Sequence, residues 1–132
     1  MKKITLVLVM AAISTGAMAE WVKISRSDDL DFYADSSTIR TDGKLSKMWV
    51  LFDFKTAKVG TNGAFLSLTN QFEFDCAGER VRMLAETGYS GPMGSGGVTH
   101  QPSVAPSWSP PFAPRTLLGF ALDVACGKVK QK

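Results

Sequence analysis

Between Phe65 and Tyr89 the chain alternates in two runs that meet at Cys76, and this pattern constrains the fold more than any other stretch. In the first run Leu66, Leu68, Phe72 and Phe74 take even positions, with Ser67, Thr69, Gln71, Glu73 and Asp75 between them. A period of two marks a strand with one face in a core and the other outside it. Ala77, Gly78 and Glu79 lead to a second run, where Val81, Met83, Ala85, Thr87 and Tyr89 alternate with Arg80, Arg82, Leu84 and Glu86. The spacing predicts an antiparallel hairpin carrying one of the two cysteines.

The state of that cysteine depends on its compartment, which the N-terminus indicates. Lys2 and Lys3 precede an apolar run from Ile4 to Ile13, and Ala17-Met18-Ala19 follows with small residues at the two positions a signal peptidase reads. The apolar run is roughly half the length that crosses a bilayer. Residues 1–19 therefore read as a secretory signal peptide cleaved after Ala19, and residues 20–132 as one exported domain. No cysteine stands near the cleavage site, so the signal is not of the lipid-modified type and the mature chain is not expected to insert in a membrane. The periplasm is the expected compartment, with secretion or surface association as the other destinations. Cys76 and Cys126 then lie where disulfides persist, and the reading pairs them. In the chain-entropy account a closed loop of about 50 residues contributes about 4 kcal/mol.

The whole chain has 15 Lys and Arg against 12 Asp and Glu, but loss of Lys2 and Lys3 with the signal leaves thirteen against twelve. A near-neutral exported domain without a basic run gives no reason to expect nucleic acid or an anionic membrane as partner. The cysteine spacing fits no zinc pattern and His100 is the one histidine, so neither metal nor cofactor is expected. The mature length suits a single domain that buries about two-thirds of its unfolded surface.

Elsewhere Trp21–Ser25 and Leu30–Ala34 read as short strands. Asp35–Arg40 is predicted as one helical turn capped by Asp35 or a serine, and Asp42-Gly43 as a tight hairpin turn. A long strand follows from Leu45 to Lys55, with Met48, Val50, Phe52 and Phe54 on its core face; Trp49 and Leu51 imply partial cover of the other face. Lys58–Gly63 reads as a loop, Gly91–Gly97 as a glycine-rich turn, and Val98–Gln101 as a returning strand. Five of the six prolines fall between Pro102 and Pro114, where no regular ladder can form, and Trp108 is expected to pin that loop to the domain. From Thr116 the period changes: Leu117, Phe120, Ala121, Val124 and Ala125 make one helical stripe that ends at Cys126 and Gly127. The fold class is α+β, a single antiparallel β-sheet of about six strands with a C-terminal α-helix packed on one face and held by the disulfide. The helix is expected to cover Met48, Val50, Phe52, Phe54, Leu66, Leu68, Phe72 and Phe74.

No catalytic constellation emerges. Gly94-Ser95-Gly96-Gly97 lacks the following Lys-Ser or Lys-Thr of a phosphate loop, and Met93 stands where a nucleophile elbow needs glycine. His100 has no acidic or cysteine partner nearby in sequence and reads as an exposed loop residue. Arg80 and Arg82 share a strand face opposite Glu73 and Asp75; they form cross-strand ion pairs or, alternatively, a basic anchor for a carboxylate or sulphated sugar. Trp49, Tyr33, Tyr89 and Trp108 are candidates for an aromatic binding surface, with core and loop-pinning roles as the other reading. The candidate ligand-binding residues are thus Arg80, Arg82, Trp49 and Tyr89, and the chain is read as a non-enzyme.

Taken in order, several segments resemble the surface-adhesin protein E family of Gram-negative bacteria. They are the Trp21 start, Tyr33 to Arg40, Asp42-Gly43, Met48-Trp49, Phe74-Asp75-Cys76, Arg80-Val81-Arg82, Tyr89 to Gly94, Trp108, Pro114 and Cys126. The resemblance implies a disulfide-held sheet and helix, and a role in binding host extracellular-matrix or serum proteins. A small exported module holding a protein or glycan ligand is the function expected; the alternative is a periplasmic envelope structural or stress-related factor with no host ligand.

Overall fold

Alternation along the chain becomes six strands in sequence order, each antiparallel to the next. The computed structural model describes residues 19–128; the signal peptide expected over residues 1–19 lies outside the described residues except for Ala19. The strands are β1 (Val22–Arg26), β2 (Leu30–Asp42), β3 (Leu45–Gly60), β4 (Gly63–Asp75), β5 (Arg80–Tyr89) and β6 (Val98–His100). Among the described residues one α-helix, α1 (Leu117–Ala125), follows the proline-rich loop. The α+β class, the single sheet and the Cys76–Cys126 bond are as the sequence predicts.

The core forms where α1 meets the sheet. Leu30, Phe32, Ala34, Met48, Val50, Phe72, Phe74 and Val81 pack with Ala121, Leu122, Val124 and Ala125. The helix lies mainly over β1, β2 and β3, which corrects the expectation that its stripe extends to Leu66 and Leu68. Both leucines are only half-buried, and Phe65 is buried in their stead. The cause is a slip in the β3–β4 register between Asp53 and Lys58, which sets Phe65 against Phe54 and His100.

Two further expectations need correction. Asp35–Arg40 is no helical turn; β2 runs through it as a bulge, with Asp35 opposite Trp49 and Arg40 opposite Lys47. Asp35 does accept from Ser37 N, as a cap would, but pairing with β3 resumes at Arg40 and keeps the chain extended. The 58–63 loop shrinks to Thr61-Asn62, because β3 continues to Gly60 and β4 begins at Gly63.

At its start α1 is capped by Thr116, whose hydroxyl accepts from Gly119 N at 3.1 Å. At its end Gly127 takes a φ of +74°, while Gly127 N and Lys128 N donate to the carbonyls of Val124 and Asp123. That is the six-to-one and five-to-two pairing of a Schellman ending. Two ties fix this end to the sheet: the disulfide, with Cα atoms 5.8 Å apart, and a bond from Ser46 Oγ to Ala125 O.

Candidate functional site

The face of the sheet opposite α1 is open. Alternation sends Lys47, Trp49, Leu51 and Asp53 of β3 to it, and the registers place Gln71, Thr69 and Ser67 of β4 and Tyr89 of β5 beside them. The 91–97 turn folds over one end of this face. A short 3₁₀ segment, Pro92–Gly94, brings Met93 N to Asp53 Oδ1 at 2.9 Å and Gly94 N to Ser67 Oγ at 2.8 Å. Leu51 is thereby fully buried, which accounts for an apolar residue on the non-core face.

At the centre of the open face lies a cleft of about 560 Å³. Trp21, Trp49 and Tyr89 supply its aromatic surface, and Arg40, Thr69 and Gln71 its polar groups. One wall is the β2 bulge, which Asp35 organises from within. Its Oδ1 accepts from Ser37 N and Ser37 Oγ, and its Oδ2 from Glu20 N at 3.0 Å. Thr38 Oγ1 donates to Asp35 O and accepts from Trp49 N, which couples the bulge to the strand that carries the central indole. Arg40 donates to the carbonyls of Ser37 and Ile39.

The four candidate residues divide in two. Trp49 and Tyr89 line the cleft; Arg80 and Arg82 share the open face but stand among other partners. Arg80 Nη2 pairs with Asp75 Oδ2 at 2.8 Å, and Arg82 donates from both Nε and Nη2 to Glu73 Oε1. Trp108 lies over both guanidinium groups, with Arg80 Cζ 5.4 Å and Arg82 Cζ 4.6 Å from the ring. The loop beyond it binds the β5 backbone through Ser109 N to Val81 O, then sends Phe112 into the core on the helix side. Trp108 is the pin that its sequence context predicts. Arg80 also lowers the pKa of Asp75, by the hydrogen bond to its carboxylate, with a further contribution from Gly78 N.

His100 is not an exposed loop residue. It ends β6, accepts from Thr61 N through Nδ1, meets Glu86 Oε2 through Nε2 at 3.2 Å and stacks on Phe65. Because Nδ1 accepts, Nε2 carries the proton toward Glu86. Ser95 Oγ donates to Pro92 O, so the glycine-rich turn engages its own hydroxyl. Among the described residues no cluster of three or more His, Cys, Asp or Glu is placed to hold a metal. Nor is any helix there long and apolar enough to cross a membrane.

Sequence reasoning missed Arg40, Thr69 and Gln71 as cleft residues and Asp35 as organiser of its wall. The run Asp35-Ser36-Ser37-Thr38 was the available signal, since side chains that bond the local backbone disturb a strand as readily as they cap a helix.

The fold defines a class: a disulfide-locked α+β module whose meander sheet packs its helix on one face and carries the cleft on the other. The family model described as surface-adhesin protein E matches residues 21–127, and the chain belongs to that family. It is therefore a surface-adhesin-like module of exported or surface-associated type. A structure of Haemophilus influenzae protein E, in its crystal form II, is similar at 14% identity and a TM-score of 0.66, with 86% of this chain and 92% of that one covered. A second structure of the same protein aligns at 15% identity and a TM-score of 0.66, covering 86% and 89%. At that identity the likeness is one of fold. No curated protein matches the chain.

Proposed function

We propose that this protein is an exported binding module that takes a protein or glycan ligand on the open face of its sheet. The observation that supports this is the cleft itself, where Trp21, Trp49, Tyr89 and Arg40 converge on the face of the sheet opposite α1. Aromatic and arginine side chains dominate the energetics of protein contacts, the aromatic rings because they bring large area with few torsions to immobilise and arginine through its planar fork of donors. Trp49 and Tyr89 are the central contacts in this reading. Arg80 and Arg82 keep 40% and 32% of their side-chain surface exposed and border the same face as its basic edge.

Binding of the mature protein to matrix proteins, serum proteins and immobilised glycans, measured by surface plasmon resonance, tests the reading. A ligand found this way should lose roughly tenfold or more in affinity with Trp49→Ala or Tyr89→Ala, while the melting temperature stays near the parent's. Equal binding by both variants would remove the cleft from the contact surface. Protease treatment of intact cells addresses location: digestion before the outer membrane is opened supports display outside, and digestion only afterwards supports a periplasmic partner.

A further inference from the structure

Asp35 is a buried carboxylate, 2% exposed, and the ion pairs among the described residues use Asp29, Asp31, Glu73, Asp75 and Glu86 but not Asp35. Its Oδ1 is served by the neutral Ser37 donors, and its Oδ2 by Glu20 N at 3.0 Å. A buried charge surrounded only by neutral donors is expensive, and such groups are ordinarily matched by a cation. Arg40 borders the same cleft, yet its guanidinium is turned to the carbonyls of Ser37 and Ile39.

The nitrogen that meets Oδ2 belongs to the residue that follows the expected cleavage site. We infer that Asp35 is an ammonium-binding site whose occupant is the α-ammonium group of Glu20, created when the signal peptide is removed after Ala19. Hydrolysis adds water across the Ala19–Glu20 peptide bond. The leader leaves with the new carboxylate of Ala19, and the freed amine of Glu20 takes up a proton, since an α-amino group titrates near pH 8 or somewhat below. The same N···O contact thus changes from a hydrogen bond between a neutral amide and the carboxylate to one between an ammonium and the carboxylate, in which both partners carry charge.

Processing has a second effect on the same wall. Ala19 lines the cleft in the uncut chain and departs with the leader, while Trp21, next to the new terminus, stays as part of the aromatic surface. Asp35 ties the terminus to the Ser37–Thr38 bulge, and Thr38 Oγ1 holds Trp49 N. The terminus is therefore a positioning group for the cleft, and cleavage completes a site that the precursor holds only through neutral donors. The inference rests on the cleavage position and on this geometry; it does not require any particular ligand.

The test compares three forms of the full mature domain: free Glu20, Nα-acetyl-Glu20, and a form that retains Ala19. The Asp35→Asn variant of each completes the set. Acetylation keeps the N–H donor but removes the charge, so the acetylated protein should melt roughly 5 °C below the free one. Retention of Ala19 should give a similar drop, and in Asp35→Asn the three forms should melt together. Should Asp35→Asn fail to fold, the acetylated and free forms of the native sequence still decide the matter. Equal melting of those two, or a full difference that persists in Asp35→Asn, would overturn the inference. So would N-terminal sequencing of the exported protein that begins at any residue other than Glu20.

Discussion

The hydroxyl of Ser46 donates to the carbonyl oxygen of Ala125 across 2.6 Å, joining the start of β3 to the last turn of α1 over 79 residues of sequence. Both groups are buried, and the carbonyl is one of those a helix leaves without an internal partner at its end. Ser46→Ala should lower stability in urea unfolding by about 1–2 kcal/mol, since the Ala125 carbonyl would stay buried without its donor. A parent-like midpoint would mean that water reaches this end of the helix.

That bond also shows where the sequence was legible. Ser46 breaks the apolar alternation of β3, and alternation alone marks it as a strand entrance; only the packed helix shows it to be a core-facing donor. Hydrophobic periodicity marked the sheet and the helix because each buries one face of a regular element, whereas the disulfide followed from two cysteines in a chain read as exported. It could not place the Asp35–Arg40 bulge, because local side-chain bonds there suit a helix cap and a strand bulge equally, and pairing with β3 decides between them. Trp49 and Tyr89 were recognisable as aromatic residues on strands. Their meeting with Trp21 and Arg40 depends on register across neighbouring strands, which a one-dimensional pattern does not carry.

The disulfide closes a loop of 50 residues of separation and anchors the same helix end. Replacing both partners, Cys76→Ala with Cys126→Ala, should cost roughly 4 kcal/mol through the freed unfolded chain. Hydrogen exchange should show the loss first in α1, with the amides at the centre of β3 and β4 protected longest, because the helix is held by one face and two ties while β3 and β4 are paired on both edges. Uniform loss of protection along the chain would mean that helix and sheet open as one unit.

Gly88 is where β5 allows the Phe65–His100 stack to close over it. A Cβ there would lie 2.6 Å from His100 Cβ and 3.0 Å from the Phe65 ring. Gly88→Ala should therefore cost about 1–3 kcal/mol by overpacking. It should also loosen β6, visible as faster exchange at Asn62, whose N–H is bonded to Thr99 O across the hairpin tip. Unchanged exchange with lowered stability would show that the sheet yields elsewhere.

Asp75 gives the protein an acid-sensitive contribution. Its carboxyl is held below the usual 3.8, chiefly by the Arg80 hydrogen bond and then by Gly78 N. A lowered folded pKa means that the unfolded chain takes up its proton first. The contribution is therefore full above an unfolded value of about 4 and is lost as pH falls through the folded value. Arg80→Gln removes the largest cause, so its stability should fall below the parent's at neutral pH and the two curves should converge below that folded value. Parallel curves down to the acid end would assign the acid sensitivity to another carboxylate.

Arg80 and Arg82 look equivalent in sequence, two apart on one strand face, yet their partners differ. Glu73, paired with Arg82, is 6% exposed in its side chain, whereas Asp75, paired with Arg80, is 16% exposed and beside a turn. Removal of Arg82 strands a carboxylate in the protein, and removal of Arg80 leaves one that water and the Gly78 amide still serve. Arg82→Ala should thus cost about 2 kcal/mol in chemical denaturation, and Arg80→Ala clearly less. Adding Glu73→Gln should recover part of the Arg82→Ala loss, because the buried charge would be gone. Trp108 reports on the same event: it lies closer to Arg82 than to Arg80, so its fluorescence should change more in Arg82→Ala. Equal losses from the two variants, without recovery in the double substitution, would mean that the arginines act through their stacking under Trp108 and not through their carboxylates.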